Sequence, residues 1–319
     1  MTPRWTFTTA AWGWHLDHWL DHALPAVLDD LAAFDPKPRY LVYVEDGVGS
    51  LSFNAQFLAL CTVAEVEVAP LSDRREPIER WMEAQRRAMD EAKGGWLVSL
   101  LPDVVYGQGS IRALLDHPNG TRAICASALS IRSPWTRGMA VRPTNKWLAF
   151  QSMTYPQARQ SVRTIGNTQF TRHLTSLYWH VPGGLLSKTC NPFPLAIQST
   201  GAVDVSHMDV GLLDAMNIGT DQIHMLTEGW NHVGAEVTQA DKPPPTRLMM
   251  VNGKTVEQRR AQVEQFTLGF AEAGGPPRCT PLAWELFCNY TFRHPFGDAA
   301  IDTTLADELG AAVAKVVTR

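Results

Sequence analysis

The chain has 319 residues, of which 45% are hydrophobic and 19% charged, with a net charge of −4 and a pI near 6.2. That apolar content supports a packed core and excludes global disorder. The length fits one large domain, or one with a smaller appendage, and the acidic balance excludes a global basic footprint for nucleic acid.

The five cysteines, Cys61, Cys125, Cys190, Cys279 and Cys288, are scattered and form no CxxC pair. They read as reduced thiols, not as a disulfide framework or a zinc ribbon. The N-terminal stretch MTPRWTFTTAAWGWHLDHWL carries charges and histidines where a signal peptide needs an apolar core. No apolar run approaches the ~20 residues of a membrane span. The expected setting is the cytoplasm.

In chain order, residues 5–10 (WTFTTA) predict a strand, Gly13 a turn, and residues 14–33 a helix of near-3.6 period that Pro25 kinks or restarts. Residues 39–45 (RYLVYVE) predict a buried strand ending in an Asp46–Gly49 turn, residues 51–60 a short helix, and residues 64–70 an alternating strand. Residues 76–92 predict a helix, with Pro77 at its start, Glu76 and Glu79 on the N-terminal dipole, and Gly94 and Gly95 closing it. Strand 96–101 follows, then a helical turn at 110–116 and a strand at 121–127.

Alternating strands and helices over the first ~130 residues imply a mostly parallel sheet covered on both faces, a three-layer αβα class. Ligands of such sheets sit outside the carboxyl ends of the strands. Trp12–Gly13, Glu45–Asp46 and Pro102–Asp103 fall at such ends.

Further on, residues 156–178 read as helical, and 181–187, 194–198 and 221–226 as short strands or loops. DKPPPTR at 241–247 reads as a linker. Residues 254–273, 281–291 and 303–317 read as helices. The predicted organisation is a ligand-binding domain over 1–240 and a mainly helical C-terminal extension over 241–319.

No GxxxxGK[ST] phosphate loop occurs, no GxGxxG follows the first strand, and GxSxG is absent. His15, His18 and His22 share one helical face. His15, just past the Trp12–Gly13 turn, is the one that reaches a ligand in this reading. Asp103 has two readings: a carboxylate capping the Gly107–Ser110 turn, or one holding a divalent cation or a ligand hydroxyl. GAVDVSHMD adds Asp204, His207 and Asp209, and HMLTEGWNH adds Glu228 beside Trp230. A base that takes a proton from a hydroxyl needs a carboxylate or His within hydrogen-bond reach. Asp204 is the first candidate and Glu228 the second. Residues 132–163 hold Arg132, Arg137, Arg142, Lys146, Arg159 and Arg163 and no acid, either a solvated face or a groove for a polyanion.

The segments TTAAWGWHLDHWLDHALPAVL and GGWLVSLLPDVVYGQGSIRALL, and more loosely PGGLLSKTCNPFPLAIQ and STGAVDVSHMDVGLLDA, resemble those of GT-A-type glycosyltransferases, in particular a bacterial and phage group of sugar transferases. The resemblance covers roughly residues 5–235. It implies a Rossmann-like (GT-A) sheet and transfer of a sugar from a nucleoside diphosphate donor, a UDP-sugar first, to an acceptor hydroxyl. That hydroxyl could sit on a small molecule, a glycan or a hydroxymethylated base of phage DNA. The implied donor site comprises Thr9, Trp12, Gly13, His15, Glu45, Asp46, Asp103 and Arg112, with Mn²⁺ or Mg²⁺ on Asp103 and His207. Where the family carries Asp-x-Asp, this chain has Asp103-Val104-Val105, a single acid. Asp204, His180 or His207 would complete a metal site. Otherwise Arg112, Arg163, Arg172 or Lys188 would neutralise the diphosphate. A non-catalytic nucleotide-binding module and a nucleotidyltransferase share the architecture.

Overall fold

The computed structural model describes residues 4–45, 49, 51–71, 76–132, 141–154, 176–181, 183–201, 203, 210–238, 264–265, 268–269, 271–272, 280–297 and 300–318. Its strands in chain order are β1 (Trp5–Ala11), β2 (Arg39–Val44), β3 (Glu65–Pro70), β4 (Trp96–Ser99), β5 (Val104–Tyr106), β6 (Ala123–Ala126), β7 (Ala128–Arg132), β8 (Ser176–Val181), β9 (Gly184–Thr189), β10 (Phe193–Gln198), β11 (Ile223–Met225), β12 (Gly234–Thr238) and β13 (Phe292–Pro295). A central sheet runs in the order β11-β6-β10-β4-β1-β2-β3. It is parallel throughout except for β10, which opposes both β4 and β6. The amino end of β10 therefore lies at the edge where its neighbours' carboxyl ends lie. Two smaller sheets, β5-β12-β7 and β13-β9-β8, flank it.

All seven residues of β1 are buried, as a strand covered on both faces requires. Side chains alternate between two cores: Phe7 and Ala11 face one, Ala10 the other. The first core holds the helices after β1, namely α1 (Trp14–His18), a π turn (Trp19–Ala23) and α2 (Leu24–Leu31), together with α3 (Ala55–Val63). Pro25 restarts the helix where the π turn ends. The second core holds α4 (Pro77–Glu91), which buries Met82, Gln85, Ala88 and Met89 along one face. Burying an apolar side chain such as Met89 contributes about 2 kcal/mol. This is the three-layer α/β class with a mostly parallel sheet that the alternation predicts.

The C-terminal elements α7 (Pro281–Asn289), β13 and α8 (Thr304–Val317) join the second core, with α6 (Val210–Ala215). Trp284, Phe287, Phe292 and Val313 pack in the same cluster as Leu97 and Ile197 of the central sheet. The predicted boundary at residue 240 lies outside the described residues. α5 (Asn145–Thr154) lies on the β5-β12-β7 sheet through Leu148 and Ala149. Residues 176–178, read as the end of a helix, are instead the start of β8, which pairs with β9 from Ser176 to Val181. Their Ser-Leu-Tyr run carries no helix stop, so periodicity alone could not place the boundary. The rest of that predicted helix lies outside the described residues.

Lys188 of β9 is fully buried. Its ammonium donates to the carbonyls of Phe287, Cys288 and Tyr290 at 3.1, 3.2 and 3.2 Å. These are the carbonyls left open at the end of α7. Burial pushes the Lys188 ammonium down to about 8, so it is mostly charged at neutral pH. Gly310 lets α8 close over it, since a Cβ there would stand 3.0 Å from Lys188 Nζ and 2.3 Å from the Cys288 carbonyl oxygen. Lys188→Met keeps the length and removes three hydrogen bonds. It should lower the unfolding free energy by roughly 3 kcal/mol in urea titrations. A loss below about 0.5 kcal/mol would show that the cap does not hold α7.

Candidate functional site

The carboxyl edge of the sheet is where the chain gathers its polar groups. Past β1, Gly13 turns with φ 49°, a left-handed value that favours glycine, and α1 begins at once. Past β4, the chain turns at Pro102–Asp103 into β5. His18 of α1, buried, bonds through Nδ1 to the Pro102 carbonyl oxygen at 3.0 Å. Burial pulls the His18 imidazole down to about 4, so the ring is neutral at pH 7 and its Nδ1–H is the donor. The Asp103 carbonyl accepts from the Val237 amide at 2.7 Å. The turn is thus fixed to α1 on one side and to β12 on the other.

On that turn the Asp103 carboxylate lies 4.0 Å from His15 Nε2, with both side chains partly exposed. The Trp12 ring stands 5.4 Å from the His15 ring. Trp12, Gly13, His15 and Asp103, placed together by the sequence argument, are brought together here. Of the other predicted residues, Glu45 follows Val44, the partner of Ala11, and so ends β2 beside Trp12. Thr9 is internal, its hydroxyl tied to Tyr40 Oη at 2.7 Å and to the Leu100 carbonyl at 3.0 Å. Glu45 is paired with Arg80. Arg112 is exposed on the 3₁₀ turn Arg112–Leu115. Glu228 is paired with Arg293, Oε1 to Nη1 2.5 Å. Asp46, Arg163, Arg172, Asp204, His207 and Asp209 lie outside the described residues, as does the side chain of His180. Lys188 does not serve an external diphosphate, because it is enclosed at the end of α7.

The Gly107–Ser110 turn is capped, but by a different acid. Asp30 of α2, 8% exposed, accepts from the amides of Gly109 (3.1 Å), Ile111 (2.9 Å) and Arg112 (3.3 Å). This removes the capping reading from Asp103. Nothing in the helical pattern around Asp30 marks it as a cap for a turn some 80 residues on.

Below the Asp103 turn lies a cavity of about 200 Å³ lined by Leu101, Val104, Tyr106, Ala126, Ser127, Phe193, Leu195, His232, Gly234 and Glu236. Its walls come from the carboxyl ends of β4 and β6, the amino end of β10, and strands β5 and β12. The reversed β10 thus helps to build the pocket. His232 is buried, bonds through Nδ1 to the Ser110 carbonyl at 3.0 Å, and is pulled down to about 4 by burial. Behind Ser127 runs a buried chain: Ser127 Oγ to Ser187 Oγ 3.3 Å, then Ser187 Oγ to His294 Nε2 3.3 Å. Burial pulls His294 down to about 3, and among the described residues its Nδ1 has no partner. In HMLTEGWNH the sequence points to Glu228 and not to His232. The only signal for His232 was its place after the same short apolar segment.

Among the described residues no group of three or more His, Cys, Asp or Glu side chains could hold a metal ion, and no helix is long and apolar enough to cross a membrane. Asp103 and His15 form a pair of O and N donors, a partial ligand set that suits a borderline divalent cation.

No protein-family model and no curated protein sequence matches the chain. Among solved structures it is similar to TarS of S. aureus at 13% identity and TM-score 0.33, covering 83% of this chain and 40% of that one. A mannosyltransferase from Pyrobaculum calidifontis, in complex with GDP-Man and Mn²⁺, gives 13% identity, TM-score 0.36, and coverage of 100% and 76%. TarS 1-349 in complex with UDP-GlcNAc gives 10%, 0.31, and coverage of 89% and 70%. The chain spans less than half the length of the first of these.

Two measurements follow from this geometry. Asp30→Ala strands the amides of Gly109, Ile111 and Arg112 and should cost roughly 2–3 kcal/mol in unfolding free energy, whereas Asp103→Ala should cost under about 1 kcal/mol. Equal costs would return the capping role to Asp103. The second concerns pH. His18, His232 and His294 stay neutral in the folded chain down to about 4, 4 and 3, while the unfolded chain takes up these protons near 6.5. Stability is therefore lost as pH falls below about 6.5, at a limiting ~1.4 kcal/mol per pH unit for each ring. His294→Gln should flatten the measured slope between pH 6 and 5 by about that amount. An unchanged slope would mean that His294 is not held neutral.

Proposed function

We propose that the chain is a glycosyltransferase that moves a sugar from a nucleoside diphosphate donor to an acceptor hydroxyl. The observation that carries the reading is the juxtaposition of Trp12, His15 and Asp103 at the carboxyl ends of β1 and β4, where Leu101 and Val104 on either side of the Asp103 turn line a formed cavity. Open α/β sheets bind ligands at this edge. The order of the GT-A-like segments along the chain supports the same assignment.

In this reading the donor lies along the strand ends. The Trp12 ring offers a face for a base or sugar, and Glu45 and Asp46 are the proposed ribose contacts. Asp103 faces the diphosphate, and Arg112, exposed just beyond the Asp30-capped turn, supplies positive charge to it. A divalent cation held by Asp103 and His207, Mn²⁺ or Mg²⁺, would neutralise the leaving diphosphate. Val105 contributes no ligand, being fully buried in the small-sheet core. Asp204 is the proposed base. Glu228 is the weaker candidate, because its carboxylate is already bonded to Arg293. For the acceptor the reading takes a small hydroxyl compound over duplex DNA; Arg137, Arg159, Arg163 and the side chain of Arg132 lie outside the described residues. Of the basic run, Arg142 is paired with Asp29, and Lys146 stands 5.3 Å over the Trp230 ring.

A panel of UDP- and GDP-sugars, with and without Mn²⁺, tests the reading by thermal unfolding. A donor at about 100 times its Kd should add roughly 2.7 kcal/mol, a shift of several degrees. Asp103→Ala should abolish turnover of a labelled donor while leaving the melting temperature near that of the parent. If no nucleotide sugar stabilises the protein, the proposal fails. Release of diphosphate from a nucleoside triphosphate would replace it with a nucleotidyltransferase.

A further inference from the structure

The cavity beneath the Asp103 turn is walled mainly by Leu101, Val104, Phe193 and Leu195, and two of its polar wall residues, Ser127 and His232, are both over nine-tenths buried. A buried polar group without a partner is costly, so these two constrain what the cavity holds. The Ser110 carbonyl can only accept, so neutral His232 donates from Nδ1 and carries its lone pair on Nε2. Among the described residues Nε2 has no hydrogen-bond partner.

The opposite wall has a direction too. His294 keeps one ring proton, and its Nδ1 is orphaned. A bare lone pair in a dry interior is tolerated better than an orphaned N–H, which places the proton on Nε2. Nε2–H then donates to Ser187 Oγ, Ser187 donates to Ser127 Oγ, and Ser127 is left with a hydroxyl proton to give. The cavity therefore offers a donor at Ser127 and an acceptor at His232, with Tyr106 and Glu236 as its other polar residues, within a mainly apolar wall.

We propose that this cavity is a binding site for a small neutral alcohol, an apolar body carrying a single hydroxyl that donates to His232 Nε2 and accepts from Ser127 Oγ. The volume argues for the size: cavities of about 150 Å³ with apolar walls hold a benzene ring, and this one measures about 200 Å³. The walls argue for the chemistry. An anion meets no cationic wall residue and faces the Glu236 carboxylate. A sugar ring would press several hydroxyls against walls that are mainly apolar. An alkane would leave the Ser127 hydroxyl proton and the His232 Nε2 lone pair unused. In the transferase reading this alcohol is the acceptor. That clause rests on the proposed function, whereas the binding itself does not.

Equilibrium binding of phenol, benzyl alcohol and benzene to the whole protein without any nucleotide tests it, read by calorimetry and by ¹⁹F shifts of 4-fluorophenol. Phenol should bind about tenfold more tightly than benzene, the worth of two net hydrogen bonds. Ser127→Ala should narrow that ratio to about threefold, because one bond remains. Leu101→Trp, at the partly exposed rim, should abolish phenol binding while the protein still unfolds cooperatively. Equal affinity for phenol and benzene, no binding of either, or phenol binding unchanged in both variants would each overturn the site. Nucleotide-induced stabilisation is measured separately, so loss of the alcohol site and failure of the transferase reading give different results.

Discussion

A carboxylate taken out of water costs several kcal/mol unless hydrogen bonds replace its hydration, and at Asp30 three backbone amides do so. The effect is long-range. α2, which follows β1, becomes fixed to the Gly107–Ser110 turn, which follows β5. That turn in turn carries Ser110, whose carbonyl orients His232 and whose hydroxyl accepts from the Val233 amide at 2.9 Å. Asn145 closes it from α5, bonded to Ser110 Oγ at 2.9 Å and packed so tightly that a Cβ on Gly107 would stand 1.9 Å from its Oδ1. Remove the Asp30 contacts and the cavity loses the support of one wall, although no atom of Asp30 lines it.

The histidines obey one rule at different places. His18, His232 and His294 are all buried and all pulled well below the ordinary range by burial. A neutral imidazole keeps one proton, so one fixed partner determines which nitrogen donates. At His18 the partner is the Pro102 carbonyl, and the result is mechanical: the Asp103 turn is pinned to α1. At His232 the same bond leaves an acceptor at the cavity wall. The chemistry is identical, and only the surroundings of the second nitrogen differ.

The sequence showed what periodicity encodes. β1, β2, β4 and α4 lie within a residue or two of their predicted bounds, because runs such as RYLVYV and a Pro-started, Gly-ended helix specify themselves locally. The convergence of Trp12, His15 and Asp103 was also legible, since it follows from which strands end where in a parallel sheet. What escaped was set by tertiary pairing. β5, β7 and β12 are three to five residues long, too short for a pattern of their own. The direction of β10 cannot be read from FPLAIQ. Nor could the capping acid be found, because Asp30 and its amides are joined only by the fold. Asp103 was the acid nearest the turn in sequence, so the capping reading, one of the two it was given, fell on it.

The two faces of one short turn finish the argument. Leu101 and Val104 line the cavity, while Asp103 between them meets His15 on the side of α1. The Leu101–Val104 turn between β4 and β5 thus carries both the Asp103–His15 pair and two wall residues of the apolar pocket on one short length of backbone. A second metal-binding acid two positions after Asp103 would occupy Val105, whose side chain is committed to the core beneath α5. The single acid is thus a consequence of how β5 packs. An Asp at Val105 would bury a carboxylate in that core without a designed partner, at a cost of several kcal/mol. Any second ligand for a metal must come from another segment of the chain.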